Sequence, residues 1–188
     1  MKNIQLSSSY IKCLGGFTLT ELMITISVAA ILASTAVPSF SDMIKRHRVI
    51  TQQNNLLGDI MLARMEAIKR GYNVSMCSAN LTATGCSGNN DDWHQGWLIY
   101  VNSDKSGAYD SDDGDKILRI HDALVSSTQL NYTYTTLTFN SRGFVSGSDV
   151  NARFAFCNSD DDMDYEREIK MLSTGRASRR EATVSTCL

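Results

Sequence analysis

Two kinds of apolar pattern divide this chain. From Phe17 to Val37 apolar and small residues run almost unbroken, and one charge, Glu21, falls inside the run. From Met43 onward the apolar positions thin to helical spacing. Val49, Ile50, Leu56, Leu57, Ile60, Met61, Ala63, Met65, Ala67 and Ile68 recur every three or four residues, while Lys45, Arg46, Arg48, Asp59, Glu66 and Lys69 take mostly other angles. The first pattern predicts an apolar helix. At a rise of about 1.5 Å per residue, residues 17–37 reach about 31 Å, close to the hydrocarbon thickness of a bilayer. The second predicts an amphipathic helix over residues 38–70 that lays one face on a core. Pro38 removes one backbone donor between them and predicts a kink. Gly71, preceded by Lys69 and Arg70, predicts the stop.

Beyond Gly71 the period falls to two. Tyr72–Cys77, Gln95–Val101, Lys116–His121, Leu130–Phe139, Phe144–Val145, Ala152–Cys157 and Glu168–Leu172 read as strands, with a short terminal strand running towards Cys187. Residues 78–92, 104–115 and 140–143 and the pair Thr174-Gly175 read as loops and turns. One long helix followed by many short strands indicates an α+β fold, with a single β-rich unit at residues 71–188 and no internal repeat.

Composition narrows the class. The 188 residues are 43% hydrophobic with a formal net charge of −2, which excludes gross disorder and a generally basic protein. Residues 1–16 hold Lys2 and Lys12 and no acid, so without them 16 basic side chains face 20 acidic ones, a charge of −4. Affinity for nucleic acid then requires a local patch.

Residues 1–16 form a short polar leader ending in Gly15-Gly16. Basic residues ahead of an apolar run also describe an ordinary signal peptide, for which Ala33-Ser34-Thr35 or Thr35-Ala36-Val37 would serve as the cleavage site. Glu21 inside the apolar run argues against that reading, because a charge there is costly and is retained for a partner or a pathway. Phenylalanine after Gly16, with glutamate four residues later, resembles the class III signal of type IV prepilins and type II secretion pseudopilins. The resemblance implies cleavage between Gly16 and Phe17 by a prepilin peptidase and N-methylation of Phe17. It also implies that Glu21 neutralises the terminal amine of a neighbouring subunit during assembly. Residues 17–37 would then hold the chain in the bacterial inner membrane, head in the periplasm, before assembly into a pilus at the cell surface. The implied partners are other major and minor pilins and the inner-membrane assembly platform.

The rest of the chain resembles the GspH/FimT family. Leu62-Ala63-Arg64-Met65-Glu66-Ala67-Ile68-Lys69-Arg70 followed by Val74 and Cys77 is similar to its helix-to-strand segment. Trp93-His94-Gln95-Gly96-Trp97, the acidic loop leading to Ile117-Leu118-Arg119, and Phe139-Asn140-Ser141-Arg142-Gly143 follow in the family's order. Phe156-Cys157 and Leu172-Ser173-Thr174-Gly175-Arg176 complete it. The resemblance implies a pilin-like fold, with two small antiparallel β-sheets packed on the C-terminal half of the long helix. It implies a minor pilin of a type IV pilus, in a complex that primes the filament, or a pseudopilin of type II secretion. Some members of this family bind DNA during natural transformation through a basic tail carrying Gly-Arg-x-Arg.

Cys13 lies in the leader; Cys77, Cys86, Cys157 and Cys187 remain and suit disulfides in an exported chain. Four cysteines permit three pairings, and proximity favours Cys77–Cys86 and Cys157–Cys187. No C-x-x-C pair or nearby histidine supports zinc. Arg176, Arg179 and Arg180, with Lys170 just before them, offer candidate contacts to double-stranded DNA, since guanidinium pairs with phosphate through two bonds at once. The Gly175-Arg176 opening matches the tail motif, but the next arginine comes one residue late. The bland alternative is a solvated turn or a subunit contact, in a stretch where Asp160, Asp161, Asp162, Asp164, Glu166, Glu168 and Glu181 crowd the cluster. The Asp104–Asp115 loop lacks EF-hand spacing and reads as an acidic turn with no metal site. His47, His94 and His121 have no metal spacing, and no nucleophile motif or phosphate loop appears, so neither an enzyme nor a cofactor is expected. Trp93 and Trp97 read as packing residues.

Overall fold

The computed structural model describes residues 16–106, 108–125, 128–146, 152–158 and 166–181, with side chains 35–39, 42, 158 and 181 left out. The expectations for the leader residues Lys2, Lys12 and Cys13, for Asp160–Asp164 and for Cys187 fall outside these residues. The chain forms two compact units that meet at Met43 and Ile44.

A single helix, α1 (Leu19–Arg70), crosses that boundary and continues through position 38. It starts two residues later than Phe17 because Thr18 caps it: the Thr18 Oγ1 accepts the Glu21 N–H at 3.2 Å. Thr18-Leu19-Thr20-Glu21 has the capping-box spacing, and it places a carboxylate in the first turn, where the helix dipole favours one. Apolar residues from Leu19 to Leu32 are exposed. Among the described residues no helix is long and apolar enough to cross a membrane. The described apolar side chains 19–34 reach only about 24 Å against about 30 Å of hydrocarbon, and side chains 35–37 of the expected span are outside the description.

In the second unit α1 buries Val49, Leu56, Ile60, Ala63 and Ala67, a stripe at helical spacing. The expected face was broader. Met61, Met65 and Ile68 stay exposed, and Asp59, expected among the solvated charges, is buried. Gly71 ends the helix at φ +71°, its N–H on the Ala67 carbonyl at 3.0 Å. Glu66 pairs with Arg70 in the last turn, and that hydrogen bond holds its carboxyl below the usual range.

Eight strands follow: β1 (Asn73–Ser78), β2 (Trp97–Asn102), β3 (Lys116–His121), β4 (Thr128–Tyr132), β5 (Thr136–Phe139), β6 (Arg153–Asn158), β7 (Arg167–Met171) and β8 (Ala177–Glu181). They form two antiparallel sheets, ordered β3-β2-β1-β5 and β4-β6-β7-β8. The fold is α+β. Leu130–Phe139, expected as one strand, breaks at Thr133–Thr135 and passes from the second sheet to the first. The Tyr/Thr alternation is equally good on either side of that break, so period alone hides the crossing. Phe144–Val145 is one bridge, Phe139 to Val145. His94 and Gln95 belong to a one-turn 3₁₀ helix, and Gly96 at φ +108° turns the chain into β2 where a Cβ would meet the His121 carbonyl.

The core is shared by the α1 stripe and both sheets. Trp93 packs edge-on against Tyr132 and Phe154, which stack on each other at 4.0 Å. Both tryptophans are fully buried, as packing residues should be.

The two turns read at Asn140–Gly143 and Thr174–Gly175 prove to be the same device. In the first, Asn140 N–H bonds the Phe144 carbonyl and Gly143 N–H the Asn140 carbonyl; in the second, Leu172 N–H bonds Arg176 and Gly175 N–H bonds Leu172. Each is a three-residue hairpin loop closed by a glycine in the left-handed region, φ +77° and +76°. The loops press together so closely that a Cβ on Gly175 would lie 2.0 Å from the Gly143 carbonyl oxygen. Arg64 of α1 spans both: Nε donates to the Gly143 carbonyl at 3.0 Å and Nη2 to the Thr174 carbonyl at 3.1 Å.

Asp59 ties α1 to the first sheet. Its Oδ2 accepts the Trp97 indole N–H at 2.9 Å, and its Oδ1 lies 3.2 Å from the Arg119 guanidinium. Trp97 in turn stacks on His121. Asp59→Ala strands the indole N–H in the core and should cost about 1–3 kcal/mol. Arg119→Ala takes the cation from a buried carboxylate and should also be destabilising. Urea denaturation of both variants checks this; a wild-type midpoint in either would contradict it.

Candidate functional site

Gly16, Phe17 and Glu21 stand at the start of α1. Gly16 and Phe17 precede the helix and are exposed. Glu21 is exposed in the first turn. Its place in the capping box gives it a local reason to be there as well as the one the leader pattern implied.

The basic candidates do not form one patch. Cross-strand partners share a face of a sheet, and the register sets Arg179 opposite Ile169 and Phe154, on the core side. From there Arg179 Nη1 reaches α1 and donates to Asn54 Oδ1 at 2.7 Å. Arg180 lies opposite Glu168 and so faces the other way, as does Lys170, which pairs with Ser178 and Arg153. Arg153 Nη1 is 3.8 Å from Glu168 Oε2, so that outward face carries both charges. Arg176, exposed at the end of its loop, joins Arg179 and Arg64 along a groove between α1 and β8. The four candidates thus divide into Arg176 and Arg179 on the groove and Lys170 and Arg180 on the outward face. Arg64 and Arg153 complete the two sides. Reading them along the sequence missed both, since each joins only through strand register or helix packing.

The acidic Asp104–Asp115 connection between β2 and β3 spends several carboxylates on its own backbone. Asp115 is buried and accepts N–H groups from Ser103 at 2.7 Å and Asp110 at 3.2 Å. Asp104 accepts the Ser106 N–H, which holds its carboxyl below the usual range, and Asp110 accepts that of Asp112. Asp113 is pushed the other way, chiefly by the neighbouring Asp110 charge. No group of residues able to hold a metal ion occurs among the described residues. Burial raises the Glu166 carboxyl and the Tyr100 phenol.

Cys77 and Cys86 form a disulfide with Cα atoms 5.6 Å apart, closing residues 78–85 over the outer side of β1. Beside it Ala79, Leu98 and Tyr100 make a small second cluster with Tyr109. Cys157 is also disulfide-bonded.

The family model described as type II transport protein GspH matches residues 52–175. The model of the prokaryotic N-terminal methylation motif matches residues 13–37. No curated protein matches the sequence. Among solved structures, the type IV minor pilin FimU of Pseudomonas aeruginosa is similar at 18% identity, over 77% of this chain and 95% of that one, with a TM-score of 0.55. A second crystal form of FimU gives 19% identity over 68% and 88%, with a TM-score of 0.51. The minor pseudopilin EpsH of Vibrio cholerae gives 11% over 71% and 97%, at 0.48. At these identities the likeness is one of fold.

Proposed function

This chain belongs to the GspH family of type II transport proteins and carries the N-terminal methylation motif, and from that we propose that it is a minor pilin of a type IV pilus. The observation that carries the reading is the continuity of α1. The helix begins within the methylation motif and ends, 52 residues on, as the packing face of the two-sheet head. A prepilin peptidase cuts between Gly16 and Phe17, and Phe17 is methylated. Before assembly, residues 17–37 hold the subunit in the inner membrane. Afterwards they pack among other pilins, with Glu21 facing a neighbour's terminal amine, in the complex that starts the filament or caps its tip. The fold shared with FimU, described as a type IV minor pilin, supports this placement. The family's own description supports the alternative, a minor pseudopilin of type II secretion. Residues 157 and 187 form the second disulfide of the head.

DNA is the proposed ligand for natural transformation. Arg176, Arg179, Arg180 and Lys170 are the contacts, with phosphate as the group they hold. Because they divide between the groove and the outward face, a duplex engages them along the β8 edge, where both faces meet. Such contacts are salt-sensitive and largely independent of sequence.

Mass spectrometry of the protein from its native host should find a mature chain starting at methylated Phe17; an intact Met1, or a cut near Ala36, would defeat the pilin reading. Titration of the full chain with duplex DNA at stepped salt should give an affinity that falls steeply as salt rises. Replacing Arg176, Arg179 and Arg180 together by alanine should abolish it. Unaltered binding by that triple variant would reject the site and leave the pilin reading intact.

A further inference from the structure

The groove between α1 and β8 has a volume of about 630 Å³. Met61 and Met65 of α1 wall one side and are half-exposed. Arg64, Arg176 and Arg179 supply its charge, and among the described residues no acidic one lines it. Among the described residues none of the three meets a carboxylate. Arg64 is held by two backbone carbonyls and Arg179 by an amide oxygen. Three guanidiniums with hydrogen-bond donors to spare, beside a flexible thioether wall, suit an acidic segment of irregular shape.

The same chain exposes such a segment. In the β2–β3 connection Asp104, Asp110 and Asp115 fold the loop, whereas no described residue donates a hydrogen bond to the side chains of Asp112 and Asp113. Both residues are exposed. The like charge of Asp110 destabilises the ionised Asp113, which an external cation would relieve. The loop belongs to the first sheet and the groove to α1 and the edge of the second, and they share no residue.

We infer that the groove lined by Arg64, Arg176 and Arg179 receives the acidic loop around Asp112 and Asp113 of a second copy of this chain. The contact is heterologous: each copy gives its loop to one neighbour and its groove to another. Contacts of that kind propagate into an open row unless the rotation closes a ring. A DNA duplex that met Arg176 and Arg179 from outside would leave the methionine wall wet, so DNA and a second copy of the chain compete for those two arginines.

Sedimentation of the full chain in detergent micelles, over a concentration series at low and high salt, tests this. Reversible self-association is expected, weakening by about tenfold or more between about 0.05 and 0.5 M salt. Arg176→Glu with Arg179→Glu should abolish it, and so should Asp112→Lys with Asp113→Lys. An equimolar mixture of those two variants restores both charge matches and should associate like the wild type. Met61→Glu with Met65→Glu, which changes only exposed side chains, should also abolish association while keeping the wild-type melting curve. A chain that stays monomeric, association that ignores the charge reversals, a mixture that fails to recover, or association that appears only when duplex DNA is added would each overturn the inference.

Discussion

Arg64 is where the helix and both sheets are joined. One guanidinium donates to the Gly143 carbonyl beyond β5 and to the Thr174 carbonyl between β7 and β8. Both are loop groups: the Gly143 carbonyl is partly buried, where lacking a donor is costly, and the Thr174 carbonyl lies at the surface. Arginine fits because its planar fork carries several donors at fixed angles; a lysine in its place would bring a point charge without that geometry. The bridge also needs the two loops to touch. They do so because Gly143 and Gly175 both lie in the left-handed region and neither has a Cβ to hold the chains apart.

The second sheet follows from this junction. Its strands β7 and β8 are joined by the Gly175 loop, and the placement of that loop sets where Arg176 and Arg179 emerge beside α1. Gln53 reinforces the arrangement by donating to the Glu168 carbonyl at 3.0 Å. At the first sheet Asp59 does similar work through Trp97. Polar side chains at the helix–sheet contact therefore fix the registry, while Leu56, Ile60, Ala63 and Ala67 supply the burial. These contacts fasten both sheets to the C-terminal part of α1.

Much of this was legible in residue order, and the failures have physical causes. Gly71 marked the end of α1 because a left-handed cap after two cations is a local event, and the glycines at 143 and 175 marked turns for the same reason. The α+β class was likewise apparent from one long helix ahead of short strands, and the pilin-like fold was implied by the resemblance to the GspH/FimT family. Asp59 was misplaced because its burial depends on an indole 38 residues away. Met61, Met65 and Ile68 were assigned to the core because helical spacing does not say how wide the covered face is. The arginines after Gly175 looked like one patch because sequence proximity does not show that adjacent strand residues point to opposite faces. The helix start at Leu19 was local, and Thr18-Leu19-Thr20-Glu21 would have shown it as a capping box.

One arginine couples two loops from different sheets. Native-state hydrogen exchange on the full chain, comparing wild type with Arg64→Ala, tests it most directly. The amides that close the two loops, Asn140 and Gly143 in one and Leu172 and Gly175 in the other, should lose protection together and by similar factors. The β1–β2 amides, which Arg64 does not touch, should lose less. Loss confined to one loop, or unchanged protection in both, would contradict the account.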